Sequence, residues 1–179
     1  MSAALDAMLG YLETLNDRPS LETLHAELGR FEITCDDVQP FIRFGERSYQ
    51  RNLVHAGRWY HAWVLCWRNG QRSPIHDHRG SSCAVRVLDG MMTETLFEFA
   101  PNGHVKALFS RDLAPGSVVG SEDTDLHQVS NLQAGDADLV TLHIYSPPLL
   151  RMEVFSLDSP TVQEWDDPVN NPFAQGSGI

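Results

Sequence analysis

The chain has 179 residues and a formal charge of -11, from 24 acidic against 13 basic side chains. That balance, with Lys106 its only lysine and no basic stripe, argues against nucleic acid and anionic membranes as partners. A single domain of this length buries about 70% of its unfolded surface without disulfides or a structural metal, so a metal here reads as functional, not scaffolding.

The opening Met1-Ser2-Ala3-Ala4 lacks the charged and apolar parts of a secretory signal. Cys35, Cys66 and Cys83 are an odd and widely spaced set, so reduced thiols and a cytoplasmic location are expected. Apolar runs are only a few residues long, too short to span a bilayer. Leu5, Met8, Leu9, Leu12 and Leu15 recur at helical spacing and predict an amphipathic helix, which Asn16-Asp17-Arg18-Pro19 ends. Ser20 is placed to cap a second helix that carries Leu21, Leu24, Leu28 and Phe31 on one face. A short third helical segment is expected from Val38 to Phe44.

From Tyr49 the pattern changes to short runs of β-branched and aromatic residues. Turn signals separate them at Asn69-Gly70, Asp89-Gly90, Asn102-Gly103, Pro115-Gly116 and Gly135-Asp136. Strands are predicted over 50–56, 59–68, 82–88, 92–99, 104–111, 117–120, 126–130, 139–145 and 151–156. So many short strands imply an all-β sandwich or small barrel. The proline and glycine content after Pro160 predicts a loosely attached tail. The expected organisation is one domain, with a helical cap over 1–45, a β-body over 46–158 and a C-terminal tail over 159–179. No internal repeat or low-complexity tract is present.

The densest chemistry lies in Pro74-Ile75-His76-Asp77-His78. Histidines at i and i+2 on an extended segment project from one face, and His127, with Asn131 four residues later, offers a third imidazole. Imidazole suits iron, zinc, copper and nickel alike, so the histidines indicate a metal without naming it. Asp77 points the opposite way and reads as a supporting or solvent residue. His25, His55, His61 and His104 have no second ligand at useful spacing and read as ordinary core or surface residues. Cys35 and Cys66 read as small buried hydrophobes.

His76-Asp77-His78, Cys83 after four further residues and Gly90 after six more have the spacing of the first cupin motif, but Cys83 stands where a metal-binding glutamate is usual. His127 with Asn131 fits the second motif. Three neutral imidazoles without a carboxylate leave a divalent ion its full charge and favour anionic ligands such as a thiolate. This departure resembles the cysteine dioxygenase type I family, and so do five longer stretches. They are Tyr49 to Val54, Leu65-Cys66-Trp67, Ser73 to His78, Asp89-Gly90 through Glu94-Thr95-Leu96-Phe97, and Leu142 to Pro148.

The resemblance implies a cupin fold, a small β-barrel of jelly-roll type with N-terminal α-helices. It implies Fe(II) on His76, His78 and His127, and Arg51 paired with the carboxylate of an amino-acid substrate. Tyr49 and Trp67 fall on the substrate side. Tyr145, His143 and Thr141 fall on a catalytic relay in which vertebrate-type members have serine at the position of Thr141. Cys83 falls on a cysteine that joins the tyrosine ring through a thioether, and Ser146-Pro147 on a cis bond. The implied reaction converts L-cysteine and O2 to cysteine sulfinate, in a chain expected to act as a monomer. Rival readings are a dioxygenase for 3-mercaptopropionate or another small thiol, with Arg151 as a second guanidinium near the site, and a metal-binding cupin without catalysis. A zinc hydrolase lacks a plausible general base beside the histidines.

Overall fold

A computed structural model describes residues 2–166; the expected tail beyond Asp166 lies outside the described residues. Helix α1, Ala3–Leu12, starts where the Ser2 hydroxyl accepts from Leu5 N–H, and it buries Leu5, Met8, Leu9 and Leu12. It stops earlier than the leucine spacing predicts, and Leu15 joins the same cluster from a tighter turn that closes on the Leu12 carbonyl. Helix α2, Leu21–Arg30, is capped by Ser20 as expected, its hydroxyl accepting from Thr23 N–H. The third helical segment is displaced toward the N-terminus. Asp37 accepts from both the backbone and the hydroxyl of Thr34, at 2.8 Å each, and this starts α3 at Cys35–Val38. A 3-10 turn follows over Gln39–Phe41, and its cap residue Ile42 is already extended, so the predicted continuation to Phe44 is absent.

Among the described residues nine strands follow, all antiparallel: β1 Gln50–Ala56, β2 His61–Trp67, β3 Ile75–Asp89, β4 Met92–Phe99, β5 Val105–Leu113, β6 Val118–Ser130, β7 Leu139–Ser146, β8 Arg151–Phe155 and β9 Gln163–Asp166. They pair in the order β1-β2-β7-β3-β6-β4-β5, with β8 joined to β3 and β9 to β8. Strand β3 is the hub, pairing with β6, with β7 from Ser82 to Asp89, and with β8 at Ile75 and His76.

Two predicted breaks are absent. The sequence places a gap before 82 and another between 117–120 and 126–130, whereas β3 and β6 run through both. Gly80 at φ 81° and Asp123 at φ 50° absorb the irregularity, and the register shifts there without ending the pairing. Arg18 offsets the acidic run in β6, reaching Asp123 at 2.8 Å, Glu122 at 3.0 Å and Ser82 Oγ at 3.0 Å. A third correction concerns the tail, which holds β9. Its strand pairs with β8 through four residues, and Trp165 packs against the interior.

Strands β2 and β7 are buried on both faces. Ala62, Val64, Cys66, Val140, Leu142 and Ile144 pack against the helices, while Trp63, Leu65, Trp67, Leu139 and Tyr145 face the interior. Each leucine that α1 and α2 press onto the first face contributes about 2 kcal/mol through transfer from water. Period-two alternation thus gives each strand a scaffold face and an interior face. Among the described residues no helix is long and apolar enough to cross a membrane.

The turn from β3 to β4 contains Gly90 at φ 77°, where an added Cβ would press on the Asp138 carbonyl and the Gln133 side chain. Gly90→Ala is expected to cost about 2 kcal/mol or more in urea denaturation, because left-handed strain adds to the clash.

Candidate metal centre

Pairing of β3 with β6 sets His76 directly opposite His127, and alternation along β3 brings His78 to the same face. Ring centroids lie 4.7 Å apart for His76–His127 and His78–His127, and 5.2 Å for His76–His78. One ligand nitrogen from each ring falls within 4.8 Å of the others, and all three residues are buried. Both nitrogens of His78 lack a hydrogen-bond partner, which is costly in a dry interior unless a cation takes one of them.

The remaining rings are oriented from behind. His76 Nδ1 donates to the Pro74 carbonyl at 3.1 Å, so its other nitrogen serves the cluster. His127 Nδ1 lies 3.0 Å from Glu94 Oε1. Burial first, then the neighbouring His127, pushes His76 down to about 3, and the same causes hold His78 well below its ordinary value. His76 and His78 therefore present neutral lone pairs, the form that binds a metal. The donor set fits a divalent transition ion.

Glu94 lies in one of the family-like stretches, and nothing in the sequence marks it as a site residue. It stands opposite Val129 in the β4–β6 pairing, so His127 is its diagonal neighbour on one face. Fully buried, it accepts from His127 and from Arg111, whose Nε lies at 2.8 Å and Nη2 at 2.6 Å. Burial raises its carboxyl, but the bonds from His127 and Arg111 outweigh this and leave it below the ordinary value. The carboxylate stays behind the imidazole, outside the three-nitrogen cluster. Glu94 shares its strand with Thr93, Thr95 and Glu98, so its role carries no mark in the sequence and shows only in the pairing, two positions from the residue facing His127.

A cleft of about 340 Å3, counting its open mouth, reaches the centre and is lined by Tyr49, Arg51, His76, His127, His143 and Tyr145, with Trp67 and Met152. His78, Thr141 and Cys83 are buried behind that lining. Thr141, His143 and Tyr145 alternate onto one face of β7, with Thr141 Oγ1 2.9 Å from His143 Nε2 and the Tyr145 hydroxyl 3.4 Å from His143 Nδ1. Trp67 Nε1 donates to Thr141 Oγ1 at 3.0 Å, and its indole stacks on Tyr49 at 4.1 Å. Burial, then the neighbouring His127, Arg51 and His76, holds His143 well below its ordinary value. Cys83 faces Tyr145 across the β3–β7 pairing; burial pushes its thiol up, against a hydrogen bond from the Tyr145 hydroxyl.

Arg51 is buried, its guanidinium carbon 4.5 Å from the Trp63 ring. Arg151, expected near the site, is not in the cleft. It alternates with Met152, so its side chain turns outward to Asp166 at 2.9 Å and is 68% exposed. Asp77 is buried, not solvated, and accepts from Glu153 N–H at 2.8 Å, fastening β8 to β3. The isolated histidines behave as expected where bonds are seen, His25 meeting the Val118 carbonyl, His55 the Tyr60 hydroxyl and His104 the Leu157 carbonyl. Asn131 is also structural, its amide donating to the carbonyls of Trp67 and Ala137. The Ser146–Pro147 bond is cis.

Comparison with known proteins agrees with this geometry. The profile of the cysteine dioxygenase type I family matches residues 21–158. Cysteine dioxygenase type 1 of Rattus norvegicus is 33% identical over 137 residues, 74% of this chain and 68% of the rat protein. That of Danio rerio is 30% identical over 145 residues, 78% of this chain and 72% of its own. In fold, a Klebsiella pneumoniae protein with a double-stranded β-helix domain superposes at a TM-score of 0.56 with 14% identity, covering 66% of this chain and 88% of its own. A Thermus thermophilus protein gives 0.53 with 20% identity, covering 65% and 98%.

Removing the carboxylate behind His127 is expected to weaken metal binding. Glu94→Ala should lower affinity about 10- to 100-fold in competition with a chromogenic chelator. Glu94→Gln should lose less, because its amide oxygen still accepts from Nδ1.

Proposed function

Since the chain belongs to the cysteine dioxygenase type I family, we propose that it converts L-cysteine and O2 to cysteine sulfinate at a ferrous ion held by His76, His78 and His127. The observation that carries this reading is a buried three-imidazole cluster with no carboxylate in it. Bound there, Fe(II) would supply an open, doubly charged face for a thiolate and for dioxygen activation. Both oxygen atoms go to sulfur, so no external reductant is consumed.

Arg51 is the carboxylate clamp, because a buried guanidinium on the cleft wall offers paired N–H donors in one plane. Holding the substrate at carboxylate and sulfur fixes the reacting atom and supplies much of the orientation a bimolecular step lacks. Arg151 points away from the cleft, which disfavours the reading in which it binds 3-mercaptopropionate. Every residue in this scheme comes from one chain, so a monomer suffices, and three free cysteines suit a reducing cytoplasm.

Proton direction follows from the donors. Trp67 can only donate to Thr141, which leaves the threonine proton for His143 Nε2 at 2.9 Å, a shorter contact than the Leu65 carbonyl at 3.5 Å. His143 then carries its proton on Nδ1 and donates to the Tyr145 oxygen. Tyr145 keeps its own proton for Cys83 or for oxygen at the site. A Cys83–Tyr145 thioether would replace the thiol hydrogen and one ring hydrogen, with dioxygen taking the two electrons. It would also end the hydroxyl-to-thiol bond and turn the proton to the cleft.

Tyr145→Phe is expected to keep its iron and lose at least about tenfold in kcat, measured by oxygen uptake and sulfinate formation. Metal retention with no uptake by the unaltered protein would favour the non-catalytic reading instead. Intact mass spectrometry of aerobically matured, iron-loaded protein should find a fraction two hydrogens lighter than the sequence mass, and Cys83→Ser should abolish it.

A further inference from the structure

Strand β9 lies beyond the residues that the family profile matches, and among the described residues it pairs only with β8. Its central residue Trp165 stands opposite Met152, a residue of the cleft wall. From there its ring approaches the Arg51 guanidinium carbon to 5.1 Å, so Arg51 is contacted by two indoles, Trp63 and Trp165. The strand is fastened at both flanking positions, Glu164 to Arg79 at 2.9 Å and Asp166 to Arg151 at 2.9 Å. These pairs are exposed, and each contributes about 0–1 kcal/mol. Strand pairing and the ring contact hold the strap more than its charges do.

An indole within about 6 Å attracts a guanidinium through the ring quadrupole and so helps fix where that guanidinium sits. We propose that Trp165 is a positioning residue: β9 straps its indole onto Arg51 and sets the affinity for the carboxylate of the thiol substrate. This rests on the reading of Arg51 as carboxylate clamp. Trp63 belongs to the buried strand β2, while Trp165 arrives on β9, whose residues are mostly exposed. Selectivity for carboxylate-bearing thiols therefore depends on a segment outside the matched region.

The test uses full-length, metal-loaded protein, with anaerobic equilibrium binding and steady-state kinetics on L-cysteine, and binding of cysteamine, which lacks the carboxylate. Trp165→Ala is expected to raise Kd and KM for cysteine about tenfold, with kcat within about twofold and cysteamine binding and metal content unchanged. Trp165→Phe should recover most of the affinity. Trp165→Leu, which keeps an apolar body in β9 without a π face, should behave like the alanine variant. Unaltered cysteine affinity in Trp165→Ala, equal weakening for both thiols, or wild-type behaviour of Trp165→Leu would each overturn the proposal. Arg51→Gln separates the two layers. If it weakens cysteine and Trp165→Ala does not, only the role of Trp165 falls; if Arg51→Gln leaves cysteine binding intact, the carboxylate reading itself falls.

Discussion

His76 and His78 lie side by side in a buried site where burial and the neighbouring rings keep both uncharged, and that constraint governs the rest of this molecule. Protonating either would place a cation among neighbouring rings in a poorly screened site. Neutral rings turn the liability into an offer of lone pairs, and the backbone fixes where each points. Pro74 and Glu94 occupy the outer nitrogens of His76 and His127, so these two tautomers are set before any ion arrives. Glu94 is itself acceptable in the interior because Arg111 reaches it from a half-exposed position. The negative charge that the usual motif would place on the metal is moved one hydrogen bond outward.

The same economy of position appears in the wall of the cleft. Trp67 is both a packing residue, stacked on Tyr49, and the donor that commits the Thr141 proton to His143. Met152 closes the lining from β8, and Asp77, between two ligand histidines, fastens that strand to β3. Residues that hold the barrel together and residues that face the reacting atoms are therefore often adjacent in sequence, separated only by the direction of the side chain.

Much of this was legible in the amino-acid order. His76 and His78 carry their own geometry in an i, i+2 spacing on a strand, and Thr141, His143 and Tyr145 do the same on β7. Ser20 announced its helix because a cap acts over three residues. What escaped were features decided by partners distant in sequence. Gly80 and the acidic run through Asp123 look like chain breaks, and only the cross-strand pairing and Arg18 make them part of long strands. Glu94 has no distinguishing mark in a strand that also holds Thr93, Thr95 and Glu98, and its partner His127 comes from β6. Arg151 looked close in the chain, and strand parity sent it outward. Strand β9 was hidden because four residues near a proline-rich terminus carry too little pattern to outweigh composition.

Parity in β2 and β7 has one more effect. Odd-numbered positions of β7 serve the chemistry and even-numbered ones grip the helices, so the two tasks can drift independently under substitution. A single inserted or deleted residue upstream in that strand is a different event, since it would carry Thr141, His143 and Tyr145 together into the leucine layer and push aliphatic side chains toward the ion. A substitution in one layer of β7 thus leaves the other in place, whereas a change in residue count moves both.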